Sequence, residues 1–156
     1  MTELWHEHIR HLDKISKFHI DTGRLTYANS HGDYHIGQMI VKGEHLTVID
    51  WTSACRLPIA FEVITSFVFA SPSCKDGAIN TEELAMYIRT FTEYYPLTAY
   101  DMEAMPYVLY FWHTICNYRP DEAIAESYQP TAMLVNKLLA WLYDHVETLS
   151  EALKAI

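Results

Sequence analysis

Apolar positions along the chain change spacing twice, and each change marks a new kind of structure. From Thr2 to about Lys17, Leu4, Ile9, Leu12 and Ile15 lie roughly on one stripe with charged residues elsewhere, which predicts an amphipathic helix. Phe18 to Ser30 is mixed, with Asp21-Thr22-Gly23 as a turn signal. Met39-Ile40-Val41 and Leu46-Thr47-Val48-Ile49 are β-rich runs broken by Lys42-Gly43-Glu44-His45, which predicts a tight hairpin. This hairpin is expected to be almost all the sheet.

After Pro58 the pattern is helical to the end. Pro58 suits a first helical turn, and Ile59 to Phe69 is apolar nearly all round, which predicts a buried central helix. Ser71-Pro72-Ser73 ends it and Asp76-Gly77 marks a loop. Asn80 with Glu83 forms a capping pair for a helix reaching about Tyr95, where Pro96 stops it. Thr98 with Asp101 starts another, which Pro106 is expected to kink or restart. Tyr107 to Tyr118 is rich in aromatics, expected to pack between helices rather than to form a ligand cage. Pro120 and Pro130 bracket a short helix. Leu134, Leu138, Leu142, Val146, Leu149 and Leu153 then form the packing stripe of a long terminal helix. The class is mainly α with a small β-hairpin, α+β, in a single domain spanning 1–156.

Composition narrows the partners. Eleven basic against twenty acidic residues give a net charge of -9, which argues against nucleic acid and suits cationic small molecules. No run of about 18 apolar residues predicts a membrane span. The amphipathic N-terminus does not resemble a signal peptide. Cys55, Cys74 and Cys116 are scattered, which predicts reduced, buried thiols in a cytoplasmic protein. His6, His8 and His11 lack a converging third ligand and read as solvated or packed.

The candidate chemistry lies between His31 and Pro58. Asp33 stands between two histidines on the loop entering the hairpin, and Asp50 ends its second strand. The hairpin is expected to turn both carboxylates toward a common gap of magnesium size. Mg²⁺ takes oxygen ligands and few of them from protein, and phosphoryl transfer needs a carboxylate beside the attacking hydroxyl. Asp50 suits the first task, Asp33 the second, and Gln38 offers an amide oxygen.

His31-Gly32-Asp33-Tyr34-His35-Ile36-Gly37-Gln38 resembles the HGDxHxxN catalytic loop of the aminoglycoside phosphotransferase and choline kinase family. Ile49-Asp50-Trp51, followed by Ala54 and Pro58, resembles that family's metal-binding segment, and Glu62 falls where a DLA-like segment commonly has aspartate. The resemblance implies the C-terminal lobe of a protein-kinase-like fold, with residues 31–58 as catalytic loop and metal segment and 58–156 as a helical acceptor subdomain. It implies Asp33 as catalytic base, Asp50 as the Mg²⁺ ligand on the nucleotide phosphates, and Gln38 in place of the asparagine on a second metal. His31 would shape the loop, and His35 would be structural or close to the phosphoryl group. ATP or GTP would be the donor and a small hydroxylated compound the acceptor.

The departures are specific. Gln38 is one methylene longer than asparagine, Thr52 stands where many relatives are acidic, and Leu57 replaces a common glycine. The Gly-rich loop and the strand lysine of the kinase pattern have no candidates ahead of His31, so the N-terminal nucleotide lobe is expected to be absent. Truncation, loss of catalysis, or supply of that lobe by a separate chain would each account for this, and the surface facing it is expected to favour a homodimer. Two other classes fit parts of the pattern. A hydrolase would use His31, Asp33, His35 and Asp50 around zinc or iron, and a non-catalytic kinase-like module would keep the fold without the chemistry.

Overall fold

The computed structural model describes residues 3–117 and 129–156. The molecule is mostly helical with two small antiparallel sheets, a small α+β fold. In chain order come α1 (Glu3–Ile15), β1 (Tyr27–Ser30), β2 (Met39–Lys42), β3 (His45–Val48), β4 (Cys55–Pro58), α2 (Ile59–Ala70), α3 (Thr81–Thr92), α4 (Ala99–Trp112) and α5 (Gln129–Lys154). Among the described residues no helix is long and apolar enough to cross a membrane.

The core forms where α2, α4 and α5 meet, with α3 against its flank. Ile64 of α2, Leu109 of α4 and Leu138 and Leu142 of α5 are completely buried there. An apolar circumference makes α2 stable only when surrounded, and most of its residues are indeed buried. On α5 the stripe from Leu138 through Leu153 is buried, whereas Leu134 is half-buried.

Capping residues set the helix starts. Asn80 accepts from the Glu82 and Glu83 amides, and α3 ends at Thr92, short of Tyr95. The Glu83 carboxylate accepts instead from the Ser71 and Ser73 hydroxyls and the Asn80 side chain. Thr98 and Asp101 complete a capping box at α4. Pro106 does not restart that helix, which runs continuously from Ala99 to Trp112 with the proline buried inside it. The short helix expected between Pro120 and Pro130 lies outside the described residues, and Pro130 itself falls in the first turn of α5.

Four expectations are corrected. The hairpin β2–β3 is joined by a second sheet, β1 with β4, in the register Tyr27↔Pro58 to Ser30↔Cys55. Pro58 therefore ends a strand and precedes α2, with ψ 123, instead of opening the helix. Among the described side chains of α1, His11 and Ile15 are buried, Ile15 as its stripe position implies, while Ile9 and Leu12 are exposed. His11 goes inside because its Nδ1 meets the buried Tyr110 hydroxyl at 2.5 Å, and His8 Nε2 reaches the Thr114 carbonyl oxygen. Cys74 alone of the three thiols is buried; Cys55 and Cys116 are exposed.

Candidate functional site

The β1–β4 sheet explains why distant residues meet. With Ser30 opposite Cys55, continuing the antiparallel register brings His31 and Gly32 alongside Ala54 and Ser53. The approach is so close that a Cβ on Gly32 would lie 2.3 Å from the Ser53 carbonyl oxygen, and Gly32 takes φ +82°. The hairpin supplies the second tie, since Ile49 N–H donates to the Gln38 carbonyl oxygen at 2.9 Å. Asp33 and Asp50 are thus held from both ends of the segment between them.

Glu62, in the first turn of α2, fastens the loop from below. Its carboxylate accepts from the His31 amide at 3.0 Å and the Gly32 amide at 3.1 Å. Charge-assisted bonds of this kind are stronger than neutral ones, and they fix the backbone just before Asp33. His31 is buried, with Nε2 donating to the Ile49 carbonyl oxygen at 2.8 Å and its ring 4.8 Å from that of Trp51. That ring joins the first loop to the residue just before Asp50.

Asp50 and Asp33 are both exposed at the surface of this frame. Asp50 has φ 58° and ψ 62°, and among the described residues it is the one non-glycine residue with positive φ. Such backbone costs on the order of 1 kcal/mol or more and persists where surrounding structure enforces it. The Thr52 hydroxyl donates to Asp50 Oδ1 at 2.6 Å. That hydroxyl, then the Thr52 amide, hold the Asp50 carboxyl below the usual carboxylate range, with smaller contributions from the His31 charge and the Gln38 side chain.

Gln38 stands between the two acids. Its Nε2 donates to Asp33 Oδ2 at 3.3 Å, and the same side chain helps stabilise the Asp50 anion. The amide presents its nitrogen to the Asp33 carboxylate, which can only accept. His35 lies on the other side, its Nε2 3.7 Å from Asp33 Oδ2. Asp33, Asp50, Gln38 and His35 are therefore neighbours, with His31 and Glu62 beneath. The family resemblance singled out Glu62 but not its grip on two amides, and it marked Thr52 only as a departure.

Two further features bear on function. Among the described residues no group of three His, Cys, Asp or Glu side chains converges in the manner of a metal centre. A cleft of about 480 Å³ lies elsewhere, lined in part by Lys14, Phe18, Glu103, Tyr107 and Glu147, with no lining residue from the 31–58 segment. No family model, curated protein or solved structure matches this chain.

Proposed function

We propose that the chain is the C-terminal lobe of a protein-kinase-like phosphotransferase acting on a hydroxyl of a small acceptor, with Asp33 and Asp50 as its working carboxylates. One observation carries the reading. Two acids seventeen positions apart share the Gln38 side chain as neighbour, one on a braced loop and the other on a left-handed turn after a strand.

Asp33 is the acceptor of the hydroxyl proton. It is exposed, so a substrate can reach it, and it is braced, so its carboxylate need not reorganise when one does. Asp50 fits a magnesium ligand: its carboxyl is held anionic, the Thr52 hydroxyl engages Oδ1, and the side chain is open to solvent. With its amide turned over, Gln38 would offer an oxygen to a second ion, as the resemblance implies. When bound, Mg²⁺ would neutralise charge on the nucleotide phosphates. Thr52 orients Asp50, and His31 and Glu62 hold the backbone that carries the pair. ATP or GTP is the donor in this reading, and a separate lobe, in the same or another chain, contributes the remaining phosphate contacts.

A second reading has its own support. Gln38 is one methylene longer than the asparagine of the resemblance, which suits a kinase-like module that binds without transferring phosphate. Calorimetric titration with Mg²⁺ and ATP or GTP separates the two. Binding that weakens about tenfold or more in Asp50→Asn, a loss of about 1.4 kcal/mol, supports the phosphotransferase site. Binding that is absent, or indifferent to that substitution, favours the module.

A further inference from the structure

The 31–38 loop contains a device that Asp33, Asp50 and Gln38 do not explain. His35 caps the short 3₁₀ turn Ile36–Gln38 with its own ring: Nδ1 accepts the Gly37 amide at 3.0 Å. An accepting Nδ1 carries no proton, so the proton of the neutral imidazole must sit on Nε2. That nitrogen is the one facing Asp33 Oδ2 at 3.7 Å, on the oxygen that Gln38 also engages. The ring can lie in this position only because residue 37 has no side chain. A Cβ there would stand 2.7 Å from His35 Cε1 and 3.0 Å from Nδ1.

We infer that His35 is a positioning residue: the Gly37 amide fixes its tautomer, and its Nε2–H, 3.7 Å away, attracts Asp33 Oδ2 alongside the Gln38 amide and so leaves Oδ1 as the oxygen for a substrate. The significance of that orientation for a reaction rests on the phosphotransferase reading, in which Oδ1 meets the acceptor hydroxyl. The orientation itself rests on the two contacts of Oδ2 and on the tautomer that the Gly37 amide sets. A mere turn cap would need only Nδ1, and Asp33 would not register in the state of the ring.

The test is long-range ¹H–¹⁵N and carboxyl ¹³C spectroscopy on the full labelled chain. The neutral His35 ring is expected to carry its proton on Nε2, and Asp33→Asn to shift that Nε2 resonance while the Gly37 amide stays in place. Asparagine at 35 mimics Nδ1 and glutamine mimics Nε2. His35→Asn should therefore shift the Asp33 carboxyl resonance, and His35→Gln should restore it. Gly37→Ala should displace the ring and abolish the tautomer preference. A proton on Nδ1 overturns the inference, as does an Nε2 resonance indifferent to Asp33→Asn, a change on an exposed side chain that leaves the fold standing. Nucleotide titration reports separately: its failure with these shifts intact removes the reaction and leaves the orientation.

Discussion

Gly32 carries two demands that no other residue type meets together. It must turn the chain at φ +82°, and it must let the Ser53 carbonyl oxygen approach to where a Cβ would stand. Gly32→Ala is expected to cost about 1–3 kcal/mol in urea unfolding, since backbone on both sides would have to move. The glycine was visible in the HGD motif, but its neighbour was not, because Ser53 lies far along the chain and is brought close by sheet register. Gln38 shows the same limit. Its place in the motif was legible, whereas the direction of its amide depends on Asp33 being near enough to accept from it. Glu62 was marked only by the family resemblance, and its position under the His31 and Gly32 amides is what gives it work.

At the scale of elements, Asp101 joins α4 to the approach to β1. Its carboxylate accepts from the Thr98 amide and hydroxyl and also from the Thr26 amide at 2.8 Å and hydroxyl at 2.7 Å. Burial alone would raise this carboxyl, but the four donors prevail and hold it below the usual range. Asp101→Asn turns an amide N–H₂ against those donors, and a loss of about 2–3 kcal/mol in urea unfolding is expected. Loosened pairing of β1 with β4 should accompany it, read as faster amide exchange at Ala28 and Asn29. The capping box was legible because it is local, as were the hairpin and the helices α2 and α5, whose apolar spacing is regular. The reach to Thr26 was not, nor was the β1–β4 sheet, whose strands Tyr27-Ala28-Asn29-Ser30 and Cys55-Arg56-Leu57-Pro58 lack the alternation of a strand. On α1 the apolar stripe held at Ile15 but not at Ile9 and Leu12, and it gave no sign that Tyr110 offers His11 a buried hydroxyl.

For the whole molecule, acid should act through buried imidazoles before it reaches the carboxylates. Burial lowers His113 to about 4 from 6.5, and burial with the nearby Arg10 and His8 charges does the same to His11. Between those values the unfolded chain binds more protons than the folded one, so their contribution is complete above pH 6.5 and falls as pH drops toward 4. The loss from His113 alone is on the order of 3 kcal/mol. Asp101 adds a further loss at lower pH, as its depressed carboxyl is protonated. Urea unfolding followed from pH 7.5 to 4 checks this, and a flat profile across that range would contradict it. The pairing of β1 with β4 has a last consequence. It closes residues 31–54 into a ring of chain whose two ends are stapled together, with the hairpin tip at Gly43 facing open space. Length can be added at that tip for roughly 0.6 kcal/mol per doubling of the loop, leaving the stapled ends undisturbed. The outer rim is thus free to drift in evolution while the acids at its base stay in place.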